Sequence, residues 1–304
     1  MAESTAAETT AVETTTVETT AVRSPGPRPR RRGRAGTTWP IHVVLVLAAA
    51  IMVAPFVWQI LTLFKSTAEA TRIPPTILPE DFGLDAFATF FTTVPFWSMF
   101  AVSVGSLVLR VAGQLAVAAL AGYAFARIPF RGRGVLFGLF IAMLMVPSQL
   151  FLIGQYELIR GLGMLDTLPA LAVPGLFSAF GTFLMRQAFL TMPKDYEEAA
   201  RLDGANTFQV FWHVMLPMAR PMLAALAVLT GLYSWNDLLW PLIVSPSGEN
   251  RPLPVGLAGL QGQFGTDYPT LMAGAFVCSI PLVIVFLLLQ RQFFAGIASS
   301  GLKG

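Results

Sequence analysis

Charge is scarce in this chain. Asp, Glu, Lys and Arg make up 12% of its 304 residues, where a soluble protein carries about 25%, so a water-soluble globular domain is excluded. Only three lysines occur, Lys65, Lys194 and Lys303, and none follows a glycine. A P-loop needs Gly-Lys-Ser/Thr to cradle phosphates, so the chain is not its own ATPase of that type. Two histidines, His42 and His213, stand far apart with no HExxH spacing, which argues against a zinc hydrolase and leaves no metal site. No Gly-x-Ser-x-Gly elbow is present, removing the commonest serine-hydrolase signature. The single cysteine, Cys278, forbids an intrachain disulfide. A net charge of +3 gives no reason to invoke a nucleic-acid partner.

Apolar residues are abundant instead, at 55%, and they come in long runs. The expected fold is all-α: a polytopic membrane protein with six spans, at about 41–63, 99–122, 135–157, 168–189, 221–243 and 270–289. The first run is too long for a signal peptide and reads as an uncleaved span. Ahead of it, residues 1–38 form a tail in two parts. Glu3, Glu8, Glu13 and Glu18 recur among Thr and Ala, a disordered composition. Arg28, Arg30, Arg31, Arg32 and Arg34 then read as a cytoplasmic topology anchor next to lipid. Residues 39–304 are the membrane domain. Segments on the cytoplasmic side of this topology hold fifteen Lys and Arg, and the outer segments four: Lys65, Arg72, Arg160 and Arg251. Both termini are therefore expected in the cytoplasm.

The longest polar interruption runs from Pro193 to Pro217. Asp195 and Glu198, three apart, suit a capping box that starts a helix, and Asp203-Gly204 offers its stop. Asn206 and Gln209 offer a second start. Phe208, Phe211, Trp212 and Met215 then follow at i, i+3, i+4 and i+7, predicting one apolar stripe before Pro217 ends the helix. His213 is expected on the solvent side.

Glu198-Ala199-Ala200, Gly204 and Val214-Met215-Leu216-Pro217 at this spacing resemble the EAA loop of permease subunits of binding-protein-dependent ABC importers. In that family the loop carries a helix that docks on the ATPase subunit. Tyr123-Ala124-Phe125-Ala126-Arg127, with Phe130, Gly132 and Arg133, resembles the end of the second span in the carbohydrate-uptake subgroup. Met145-Val146-Pro147 is similar to its broken third span, Trp235-Asn236-Asp237 to its fifth-span motif, and Gly301-Leu302-Lys303-Gly304 to its ending. One departure is visible: Val102-Ser103 stands where the family often has Asn-Ser. The resemblance covers about residues 40–304. It implies one half of a translocation pathway in a bacterial cell membrane, for a sugar, oligosaccharide or polyol, with no enzyme activity and no bound cofactor of its own. A second permease, two ATPase subunits using ATP and magnesium, and an extracytoplasmic solute-binding protein would complete the system. Glu198, Ala199, Ala200, Asp203 and Gly204 would form the coupling loop. An ATPase-independent secondary transporter or channel is the alternative, and a membrane scaffold without transport a weaker one.

Charges inside spans are expensive and mark function or pairing. Asp237 falls in the outer third of the fifth span. There it either ends the span near the headgroups, with Trp235 and Trp240 as an aromatic belt, or serves the translocation path or helix pairing. On an unbroken helix Tyr233, Asn236, Asp237 and Trp240 share one face, a mixture of rings, amide and carboxylate suited to a sugar. Arg110, inside the second span, is expected to pair across helices or face a cavity. Pro147 and Pro174 are expected to mark kinks.

Overall fold

The computed structural model describes residues 39–262 and 265–301, with side chains of the last helix described through Leu287. The Thr/Glu tail, the arginine cluster before Trp39, and Leu302–Gly304 lie outside the described residues. The chain divides into two compact units, residues 1–52 and residues 53–304. The described part of the first is the N-terminal half of α1 (Trp39–Leu63). This helix is apolar on every side and exposed from Trp39 to Trp58, the pattern of a helix surrounded by lipid rather than water.

Short helices α2 (Thr67–Ala70) and α3 (Asp85–Thr93) follow, then the long α4 (Phe96–Arg127). Next come α5 (Arg133–Met143), a 3-10 turn at Ser148–Phe151, and α6 (Leu152–Gly161). After α7 (Leu168–Ala172) and a 3-10 turn at Val173–Leu176 comes α8 (Ala179–Thr191). The polar interruption forms α9 (Asp195–Leu202), α10 (Thr207–Val210), a π-helical turn at Phe211–Met215 and α11 (Leu216–Met218). Then α12 (Arg220–Trp235), α13 (Leu239–Val244), α14 (Leu253–Gly259) and α15 (Tyr268–Gly301) complete the chain. No strand occurs among the described residues; the one β-bridge joins Gln261 and Thr266.

Among the described residues, three helices are long and apolar enough to cross a membrane: α1, α4 and α15. Three further helix pairs among the described residues are long and apolar enough only together, and they are bent. Arg133–Met143 and Ser148–Gly161 meet at 101°, with Pro147 at the break, and Leu168–Leu176 and Ala179–Thr191 meet at 49°, just beyond Pro174. Proline removes a backbone donor and collides with the preceding turn, so the expected kinks form where it stands. The third pair, Thr207–Met218 and Arg220–Trp235, bends by 74°. The predicted unbroken span over 221–243 is not formed. α12 stops at Trp235, and Asn236–Leu238 interrupt it before α13.

α4 is the axis of the bundle, and small residues let its neighbours approach. In a bilayer, close backbone contact replaces the hydrophobic drive that water would supply. A Cβ on Gly122 would lie 2.6 Å from Met185 Cβ and 2.8 Å from the backbone nitrogen of Arg186. Gly122→Ala should therefore part α4 from α8, destabilising by about 1–3 kcal/mol. A fall of roughly 2–12 °C in the unfolding midpoint of the detergent-solubilised protein is expected. Gly231→Ala, with nothing within 4 Å of the added carbon, should not lower it.

The buried core of the described residues falls into four clusters, two of which bear on the site. In one, Ala118, Ala119 and Tyr123 of α4 and Met185 and Phe189 of α8 enclose Val210, Phe211 and Met215 of the polar interruption. In the other, Trp240 and Val244 pack on Ile159, Ala170 and Leu171. At the departure Val102-Ser103, the buried Ser103 hydroxyl accepts the N–H of Leu253, the first residue of α14, at 2.8 Å.

Candidate functional site

The turn between α9 and α10 follows from local chemistry. Gly204 has φ +88°, a left-handed conformation that costs a side chain dearly. Its N–H donates to Arg201 O at 3.0 Å, and the Ala205 N–H donates to Ala200 O at 3.0 Å. These two bonds are those of a Schellman ending, closing α9. Two residues on, the Gln209 N–H donates to Asn206 Oδ1 at 2.9 Å, and the Asn206 N–H donates to Gln209 Oε1 at 2.8 Å. The predicted second start is thus a complete capping box.

The first start differs from expectation. Lys194 already has helical backbone angles and occupies the cap position, without a side-chain cap. Asp195 and Glu198 lie inside the helix, where acids in the first turn still favour the dipole. Which acid turns inward is the larger surprise. Glu197 is buried, with its carboxylate Oε1 2.9 Å from Arg127 Nε at the end of α4. That N–H is not aimed at the oxygen well enough for a hydrogen bond, so the pair is ionic. Arg127 Nη2 also donates to the carbonyls of Phe189, at 2.6 Å, and Met192. One guanidinium therefore neutralises the C-terminal end of α8 and holds α9 against it. Glu198 and Ala199 face outward, Ala200 packs partly into the core, and Asp203 and Gly204 are exposed.

The four-residue apolar stripe splits. Phe211 and Met215 are buried against Tyr123 and Phe189, while Phe208 and Trp212 are 66% and 55% exposed. Phe208 and Trp212 stack on each other, ring centroids 6.3 Å apart. The bundle covers only one side of this segment, so half the stripe stays bare; Tyr196 and Leu202 of α9 are exposed as well. His213 is exposed, as expected. Pro217 does not end the helix: it lies inside the continuous helical stretch Thr207–Met218, directly after the π turn Phe211–Met215, and the break comes at Ala219.

The break after Trp235 also separates the four residues expected on one face. Tyr233 is 76% exposed, and Asn236 is exposed with its side-chain amide donating to Leu232 O at 2.8 Å. Trp240 is buried and donates its indole N–H to Ala170 O at 2.9 Å. Trp235 is buried too, donating to Cys278 O at 3.0 Å. Both rings thus serve the interior rather than an aromatic belt. Asp237 Oδ2 accepts from Arg110 Nη1 at 2.9 Å, so the pairing expected of Arg110 occurs and Asp237 is its partner.

Broken crossings around an unbroken helix, with a Gly-turned polar loop folded back on the bundle, define a membrane transport subunit. Residues 114–298 match the family described as binding-protein-dependent transport system inner membrane component, more than half of the chain, and the chain belongs to that family. It is 35% identical over 270 residues to the arabinooligosaccharides transport system permease protein AraQ of Halalkalibacterium halodurans, covering 88% of this chain and 97% of that protein. To the lactose transport system permease protein LacG of Rhizobium radiobacter it is 32% identical, covering 85% and 94%. A crystal structure of a bacterial ABC transporter involved in the import of the acidic polysaccharide alginate superposes with a TM-score of 0.75 at 25% identity. That match covers 85% of this chain and 97% of that one. The chain is accordingly a multi-pass permease subunit of the ABC-importer type.

Proposed function

We propose that this chain forms half of the translocation path of an ATP-driven importer for a carbohydrate, with oligosaccharides the favoured class. The observation that carries the reading is the α9–α10 loop. Its inner side is fixed by Arg127 and the Phe211–Met215 turn, and its outer side offers Glu198, Ala199, Asp203 and Gly204 beside bare Phe208 and Trp212. An exposed apolar patch with a polar rim is the mark of a docking surface. Two ATPase subunits, which use ATP and magnesium, supply that docking partner and bind this loop in the cytoplasm, where both termini also lie. A second permease of the same type faces the side carrying Tyr233 and Asn236, since lipid does not accept an exposed amide within a span. An extracytoplasmic binding protein delivers the solute. The names of the relatives, for arabinooligosaccharides and lactose, support the carbohydrate class.

The test is ATP hydrolysis by the co-purified complex, reconstituted with its binding protein and offered arabinotriose, lactose, maltotriose or glycerol 3-phosphate in turn. A sugar should stimulate hydrolysis, and replacing residues 195–212 with a flexible linker should remove the ATPase from the purified complex. Robust uptake by this chain alone in liposomes would overturn the reading in favour of an ATPase-independent carrier.

A further inference from the structure

Arg110 and Asp237 are two charges inside the membrane-spanning bundle, and the coupling loop makes no use of either. Arg110 sits 14 residues from Phe96 at the start of α4, about 21 Å along a helix rising about 1.5 Å per residue. A charge at such depth is costly unless something needs it.

What surrounds it is specific. α4 is unbroken, while two segments packed on it are interrupted, one beyond Pro174 and one at Asn236–Leu238. Gly175 lies in the 3-10 turn Val173–Leu176, just ahead of the first break at residues 177–178. A Cβ built there would stand 2.1 Å from Arg110 Nε and 2.6 Å from its Cζ, so the guanidinium rests directly on the Gly175 backbone. From its other side Nη1 reaches Asp237 Oδ2, 2.9 Å away in the second break. Asp237 follows the last turn of α12, where the helix dipole opposes a carboxylate, so the end of α12 does not hold it. The ion pair with Arg110 does. Both side chains are about four-fifths buried, and Arg110 Nε is buried with no acceptor. Simple charge compensation needs no such fit against Gly175.

We propose that Arg110 is a positioning residue for transport. Its guanidinium ties the 3-10 turn at Gly175 to the break at Asn236–Leu238 and so sets how Asn236 is presented, without touching the solute. The inference rests on the importer reading above.

The experiment uses an Asn236→Cys, Cys278→Ala parent, in membranes containing the whole complex, and labels the thiol introduced at position 236 with a membrane-impermeant maleimide. The neutral pair Arg110→Ala with Asp237→Asn should raise the labelling rate at least threefold. Gly175→Ala should do the same in the parent, because its methyl displaces the guanidinium, yet add nothing once Arg110 is replaced by alanine. Arg110→Lys keeps the charge and should also raise labelling threefold, and it decides the matter if the neutral pair fails to insert. Labelling within threefold of the parent in these variants overturns the proposal, as does an equal effect of Gly175→Ala in both backgrounds. Failure of the importer reading would appear separately, as no ATP-dependent uptake by the parental complex, and would leave the labelling comparison standing.

Discussion

Arg127→Met should release the α9–α10 loop from the bundle and abolish coupled transport while the spans remain inserted. The guanidinium is 6% exposed and faces Glu197, 9% exposed. Removing one member of a buried ion pair strands the other, at a cost of about 3–5 kcal/mol. It also strips the carbonyls of Phe189 and Met192 of their donor. At about 1.4 kcal/mol per factor of ten, the docked loop would lose its population by two orders of magnitude or more. Limited proteolysis between Pro193 and Pro217 reads this directly, and the variant should be cut at least ten times faster than the parent. Glu197→Gln should follow it, because a neutral amide leaves the buried cation unbalanced. Glu198→Gln, one residue on and exposed, should leave the cutting rate and the unfolding midpoint unchanged. Equal sensitivity of the two glutamine variants would mean that α9 is rotated from the arrangement described.

Coupling should be lost without any loss of structure when Gly204→Val is combined with Glu198→Lys. Space is not the obstacle at Gly204, since nothing lies within 4 Å of an added Cβ. The obstacle is φ at +88°, where an L side chain costs about 1–2 kcal/mol and a β-branched one more. The turn therefore shifts rather than the fold collapsing. Lysine at 198 puts a cation in the first turn, where the helix dipole favours acids by about 0.3–1 kcal/mol. Neither change touches the core, so both variants should reach the membrane at parental levels. Binding-protein-stimulated ATP hydrolysis by the complex should fall to the unstimulated rate. Normal uptake with both changes together would end the assignment of this loop as the coupling element.

The two predictions rest on neighbouring glutamates that periodicity does not tell apart. In an eight-residue helix as polar as α9, Glu197 and Glu198 are equally good first-turn acids. Which faces inward depends on where Arg127 stands, seventy residues earlier in the chain. The same holds for the split stripe. Phe208, Phe211, Trp212 and Met215 share a spacing, but only the pair meeting Tyr123 and Phe189 is covered. Arg110 and Asp237, both conspicuous inside apolar runs, are joined across 127 positions by a break that apolar composition conceals. Asn236–Leu238 interrupts the fifth crossing four residues ahead of Pro241, whose ring has no N–H for the Asp237 carbonyl and would collide with it on a continuous helix.

The sequence by itself determined whatever is settled within about one helical turn. Gly204 made the left-handed stop, Asn206 with Gln209 made the cap, Pro147 and Pro174 marked kinks, and the apolar runs located the crossings. These are backbone and solvation constraints that act on a residue and its nearest neighbours. Only the tertiary structure decided which charge meets which and which side of each helix is covered. Such choices are made by contacts between segments distant in sequence. In a bilayer, lipid is as apolar as the protein's own side chains, so composition does not distinguish a covered face from a bare one.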